Sequence, residues 1–212
     1  MTKINKVLFI GSKPFGLRCF EEMYKIDPQS AIGLVTIDDR KDSRSAYEGF
    51  HEFASTANLK ICVAKSRTDL EQIIREFQPE LCLVDGWYWL IGKDTLESVP
   101  HGFIGIHNSL LPKYRGGSPL VWSIINGDSQ AGLTFFSFTE GMDDGDIWAQ
   151  ESVPIEPTDY ISDVLQKIEK EGITIIQEKY LRILNGQLRP TPQNHDAATY
   201  CGSRTEGDGL ID

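Results

Sequence analysis

The sequence predicts an α/β fold: a Rossmann-like, mostly parallel sheet with helices on both faces, followed by a hairpin, a long helix and an irregular tail. Three observations carry this expectation. Short apolar runs alternate with amphipathic stretches through the first half of the chain, a pattern that calls for right-handed crossovers and parallel strands covered on both faces. Two longer apolar runs then flank a turn rich in Gly and Asp. Beyond them, apolar residues recur at the spacing of one helix face.

The expected strands are "KVLFIGS" (6–12), "AIGLVTID" (31–38), "LKICVAK" (59–65), "LCLVDGW" (81–87) and "FIGIHNS" (103–109). Amphipathic stretches around 15–26, 46–57 and 67–77 separate the first four. "GLTFFSFT" (132–139) and "DIWAQESVPI" (146–155) form the hairpin. A helix starts near Thr158 or Asp159, with Ile161, Val164, Leu165 and Ile168 on its buried face. Asn185–Gly186 reads as its C-terminal cap. The rest, "QLRPTPQNHDAATYCGSRTEGDGLID", is rich in Pro, Asn, Asp and Gly and reads as a tail over the surface. The expected division is a catalytic domain over 1–187 and a tail or start of a linker over 188–212.

Composition narrows the function classes. The 212 residues are 40% hydrophobic and 25% charged, a globular balance with material for a sizeable core. With 31 acidic against 21 basic residues the net charge is −10, which argues against a nucleic-acid partner held by excess Lys and Arg. Cys19, Cys62, Cys82 and Cys201 show no CxxC and no zinc spacing, so they read as free thiols of a reducing cytosol, and no metal site is expected. The first apolar run, Val7–Ile10, is too short for a signal peptide or a membrane span; the expectation is a cytoplasmic protein without a membrane partner.

Two stretches raise chemical questions. "GSKPFG" (11–16) joins a strand to a helix, where nucleotide folds often bind phosphate, but it is neither GxGxxG nor GxxxxGK[ST]. Either Gly11 and Gly16 only permit a tight turn and close helix packing, or Ser12, Lys13, Pro14 and Phe15 at the helix N-terminus meet an anionic part of a substrate. The second stretch is "FIGIHNSLLPKYRGGSP" (103–119), which puts His107 at the end of the fifth strand under a loop stiffened by Pro112 and Pro119. Ligands of parallel α/β sheets bind beyond the carboxyl ends of the strands. Further along, "GMDDGDI" is an acidic turn able to bring a carboxylate to the imidazole.

"HNSLLPKYRGGSP" followed by "NGDSQAGLTFFSFTEGMDDGDIWAQ" resembles the signature of the folate-dependent formyltransferases, a superfamily that includes glycinamide ribonucleotide, methionyl-tRNA and sugar-nucleotide N-formyltransferases. The resemblance runs from the first strand to "ATYCGSRTEGDGLID". It implies that His107 is the catalytic histidine and Asp143 the catalytic aspartate. The family's third member, an asparagine two positions before the histidine, is Gly105 here, and the nearest asparagine is Asn108. If the chain bends after His107, Asn108 can take over the holding of the formyl oxygen. The resemblance further implies that Trp87, Tyr88, Trp89, Leu90 and Ile91 wall a pterin pocket, with Thr139, Glu140, Gly141 and Asp143 opposite; the other reading of those rings is packing against the long helix. Ser12, Lys13, Pro14, Phe15, Ser109 and Arg115 are the implied acceptor-binding residues, and Asp144 and Asp146 the solvated part of the turn.

The implied reaction moves the formyl group of N10-formyltetrahydrofolate to a primary amine. Such chemistry needs hydrogen bonds to an oxygen on which charge grows, and a group that removes a proton from the attacking nitrogen. Among acceptors, the amino group of a nucleotide-linked sugar leads. Methionyl-tRNA enzymes carry a further C-terminal domain and need basic surface, whereas this chain is acidic and ends at Asp212, where that domain would begin. Glycinamide ribonucleotide enzymes have a first turn unlike "GSKPFG". Absence of the family asparagine keeps a formyl-folate hydrolase or an inactive folate-binding protein as readings of a different class. The expectation leaves room for a homodimer.

Overall fold

The computed structural model describes residues 3–209. The last three residues of the expected tail, 210–212, lie outside the described residues. The chain divides into two compact units: Met1–Gly105 with Ile173–Arg189, and Ile106–Gly172 with Pro190–Asp212.

In the first unit the chain alternates between strand and helix: β1 (Val7–Gly11), α1 (Pro14–Ile26), β2 (Ala31–Thr36), α2 (Tyr47–Thr56), β3 (Ile61–Val63), α3 (Arg67–Phe77), β4 (Leu81–Asp85), α4 (Lys93–Ser98) and the first three residues of β5 (Phe103–His107). The strand order is β3-β2-β1-β4-β5. Every pair is parallel, with Val7 opposite Leu81 and Cys82 opposite Phe103. All five residues of β1 and of β4 are buried, because crossover helices cover both faces and alternation disappears. Phe9, Phe20 and Phe50 fill one face, with ring centroids 5.3 Å (Phe9–Phe20) and 6.1 Å (Phe9–Phe50) apart. α1 starts on a proline, whose missing N–H costs nothing in the first turn. α3 is capped by Ser66 Oγ, which accepts from the Asp69 N–H at 3.1 Å.

The second half of α6 (Ile161–Leu184) belongs to this unit and buries Ile175, Ile176, Tyr180, Ile183 and Leu184. Gly186 ends it with φ +65°, and the Gly186 and Gln187 N–H groups return to Ile183 O and Arg182 O, as the Asn185–Gly186 signal predicts.

In the second unit the order runs from the end of β5 to β7 (Gln130–Ser137) and β8 (Ile147–Pro154). β7 and β8 are antiparallel from Gln130–Pro154 to Phe136–Ile147, with an irregularity after Phe135. Before them come β6 (Arg115–Gly116) and α5 (Pro119–Ile125). α6 opens at Ile161, later than expected, because Asp159 accepts the Glu156 N–H and closes a separate turn. Val164 and Ile168 are fully buried as expected, but Ile161 is 47% exposed.

The segment after α6 is not a loose wrap. Thr191 pairs with Ile147 through both backbone groups at 2.8 Å, and β9 (Tyr200–Cys201) runs parallel to β6. The two-residue strands are defined only by the partner across the gap, and the short helices α4 and α5 span too few turns to show a periodicity. Among the described residues no helix is long and apolar enough to cross a membrane, and the four cysteines are free.

Candidate active site

β5 delivers His107 to the start of the second unit with its side chain buried. Phe136 from β7 sits edge-on to the ring at 6.2 Å. The chain bends at once: the Ser109 N–H donates to His107 O at 2.9 Å, a three-residue turn centred on Asn108. Tyr114 O lies 2.7 Å from His107 Nε2. A carbonyl only accepts, so Nε2 carries a proton, and in the neutral form of the ring Nδ1 is then the nitrogen with the lone pair. That Nδ1 is 3.7 Å from Asp143 Oδ2.

Asp143 sits in the β7–β8 connection with φ +51°, a left-handed conformation that only a few non-glycine residues adopt. Its Oδ2 also accepts the Gly116 N–H at 2.8 Å. Position 116 must be glycine for two reasons: φ is +102°, and a Cβ there would stand 2.4 Å from Cys201 O. Asp144 is not merely solvated, since it accepts from the Thr139 hydroxyl and orders the turn from within. Thr139 and Gly141 are exposed around it. Asn108, half-buried at the bend, makes no hydrogen bond among the described residues through its carboxamide.

The other expected acceptor-binding residues are engaged within the protein. Ser109 is buried and its Oγ donates to Lys113 O at 2.6 Å. Arg115 is 2% exposed, and its guanidinium donates to Gln193 Oε1 at 2.7 and 3.2 Å, to Tyr200 OH at 3.1 Å and to His195 Nδ1 at 3.2 Å. Gln193, itself buried, turns its Nε2 to Asp143 O at 2.9 Å and Gly145 O at 2.7 Å. Nothing local in "RPTPQNHD" marks this glutamine: its neighbours are Pro and Asn, and only the tertiary partners give it a place.

In the first unit, Ser12 is fully buried and donates to Gly86 O at 2.8 Å, Phe15 is buried, and Pro14 is exposed. Lys13 Nζ lies 2.8 Å from both Asp39 and Asp42 and 4.9 Å from the Tyr88 ring centroid. Burial pulls its ammonium down, but the two carboxylates and the Tyr88 hydroxyl outweigh that and hold it above the ordinary lysine value. Lys13 is thus neutralised by its own surroundings rather than left for an anion. A Cβ on Gly11 or Gly16 would come within 2.6 Å and 2.9 Å of Asp85, so Gly11 serves the close approach of the end of β1 to β4 and Gly16 that of α1 to β4.

The aromatic loop after β4 begins at Gly86, with φ +63°. Trp87 and Trp89 meet edge to face at 5.3 Å, Tyr88 is 51% and Leu90 84% exposed, and Ile91 is half-buried. The Trp87 indole N–H is buried without a partner among the described residues.

Comparison with known proteins shows the family of the chain. The family model described as "Formyl transferase" matches residues 6–179. The methionyl-tRNA formyltransferase of Caldanaerobacter subterraneus subsp. tengcongensis is 30% identical over 98% of this chain and 69% of that protein. The chain spans 63–69% of the length of the curated methionyl-tRNA formyltransferases it matches. Among solved structures, an N-formyltransferase from Helicobacter canadensis in complex with folinic acid and dTDP-3-aminofucose superposes with a TM-score of 0.71 at 20% identity, over 95% of this chain and 71% of that one. The phosphoribosylglycinamide formyltransferase of Bacillus halodurans gives 0.73 at 21% identity, over 86% of this chain and 96% of that one.

Proposed function

The chain belongs to the formyl transferase family and is an N-formyltransferase that draws on a formyl-folate; from that premise we propose that it passes the formyl group of N10-formyltetrahydrofolate to the amino group of a nucleotide-linked sugar, in a reducing cytoplasm that four free thiols suit. The observation that carries the chemistry is the His107–Asp143 pair, 3.7 Å apart at the end of β5 with Nε2 already committed to a carbonyl.

The folate supplies the formyl carbon. Trp87, with Tyr88, Trp89, Leu90 and Ile91, is the proposed contact for its ring, through the exposed Tyr88 and Leu90 side chains above all. Thr139, Glu140 and Gly141, on the turn that carries Asp143, are a second proposed contact. His107 Nδ1 takes the proton from the attacking amine, and the Asp143 carboxylate stabilises the imidazolium so formed. The same nitrogen then returns a proton to the departing folate nitrogen. Asn108 holds the formyl oxygen or the amine, its free carboxamide at the bend standing in for the family asparagine that Gly105 replaces.

Charge supports this acceptor. A chain with 31 acids and 21 bases suits a small nucleotide-linked amine better than tRNA. Methionyl-tRNA is the second reading, favoured by the 30% identity to an enzyme of that name. Single-turnover incubation of the full chain with N10-formyltetrahydrofolate decides, run with dTDP-3-aminofucose, glycinamide ribonucleotide, methionyl-tRNA or no acceptor. Tetrahydrofolate release that depends on the amino sugar supports the proposal. Release without acceptor makes the protein a hydrolase, and tight binding without release makes it a folate-binding module.

A further inference from the structure

We propose that Gln193, in the segment after the long helix, is a positioning residue of the active site: with Arg115 it clamps the turn that aims Asp143 at His107. The proposal rests on the formyltransferase reading for the role of that pair. Its geometry stands without that reading.

The clamp follows from hydrogen-bonding capacity. A guanidinium only donates, so the two Arg115 donors at 2.7 and 3.2 Å fix which end of the Gln193 amide is oxygen. Two carbonyls only accept, so the same orientation is required by Asp143 O at 2.9 Å and Gly145 O at 2.7 Å, which receive the two Nε2 protons. Both ends of the amide are satisfied in one orientation and neither in the other. Gln193 is 5% exposed and Arg115 2%, so water does not replace either partner without cost.

Asp143 needs such a restraint. A left-handed aspartate at φ +51° sits in a backbone region less favoured than the right-handed and extended ones, and contacts on both its carbonyl and its carboxylate hold it there. Gln193 holds its carbonyl, Gly116 holds its carboxylate, and Cys201 on β9 covers Gly116. Arg115 itself is seated by Tyr200 OH and His195 Nδ1. The segment 190–201 therefore completes the site rather than trailing from it. Release of the carbonyl frees the Asp143 backbone to relax, and its carboxylate leaves His107 Nδ1.

The test is Gln193→Leu, which keeps the bulk and removes every hydrogen bond, alongside Gln193→Glu, which still accepts from Arg115 but opposes two carbonyls with a carboxylate. Two readouts are taken on the full chain: the ¹⁵N resonances of the His107 ring, and kcat and KM with N10-formyltetrahydrofolate and dTDP-3-aminofucose. The expected result is a fall in kcat on the order of 10–10²-fold with KM for the folate nearly unchanged, and ring resonances displaced in the direction seen for Asp143→Asn. Should Gln193→Leu fail to fold, Gln193→Glu carries the same expectation. Folded variants with unmoved His107 resonances or unchanged kcat overturn the clamp. If the wild type transfers nothing to any acceptor, the functional reading fails and the resonance comparison alone judges the clamp.

Discussion

Replacing Asp143 by asparagine removes a charge and little else. Asparagine tolerates the left-handed backbone that φ +51° demands, and its amide oxygen can still accept the Gly116 N–H. What disappears is the attraction between a carboxylate and the imidazolium that forms 3.7 Å away. At that separation the attraction is worth about 1 kcal/mol in water and about 4 kcal/mol at an effective dielectric constant of about 20. The side chains are 9% (His107) and 24% (Asp143) exposed, so the pair lies between these limits. The loss in kcat should therefore fall between about 10-fold and about 10³-fold. The assay is single-turnover release of tetrahydrofolate from N10-formyltetrahydrofolate with dTDP-3-aminofucose, with folate affinity measured separately. Asp144→Asn is the control: its carboxylate bonds only within the turn, so kcat should change by no more than a few-fold. Equal, small losses at both positions in folded protein would refute the assignment of Asp143 to the imidazole.

Three further outcomes are expected. His107→Ala should cost on the order of 10²–10⁴ in rate while leaving folate affinity nearly intact, read by turnover and by equilibrium binding; retention of most activity would return the ring to a packing role. Asn108→Ala should lower turnover by roughly 10²-fold if its carboxamide holds the formyl oxygen, whereas full activity, or a rate raised by Gly105→Asn, would show that no donor stands in for the family asparagine. Burial pushes the Asp39 carboxyl up, but Lys13, Ser45 and Tyr88 more than offset it and hold it below the usual range. A depressed carboxyl adds stability that is present above the unfolded value, about 3.9, and is lost as pH falls through the lower folded value. Lys13→Met should therefore flatten acid-denaturation curves in that window, and an unchanged curve would show that the cluster is too solvated to matter.

Much of this molecule is written in local sequence. β1 and β4 are legible because strands covered on both faces must be apolar throughout, and α1, α2 and α3 fall within a residue or so of their amphipathic stretches. His107 stood out because an ionisable ring closed an apolar run, and Asp143 because an acidic turn sat between two strands. The long-range partners were not legible. Arg115 and Lys13 were expected to bind the acceptor, yet one is held by Gln193, His195 and Tyr200 and the other by Asp39 and Asp42, since a charge taken from water seeks whatever partners the fold brings to it. Gln193 had no signal at all. A single amide has no periodicity, and its role exists only where a guanidinium and two carbonyls converge on it from segments distant in the chain. Sequence by itself determined the alternating elements and singled out His107 and Asp143 as the proposed reacting pair, because burial patterns and motif spacing are local. Which oxygen faces His107 Nδ1, and which nitrogen of that ring keeps its proton, only the tertiary structure decided, because both depend on hydrogen bonds between residues that no spacing rule connects.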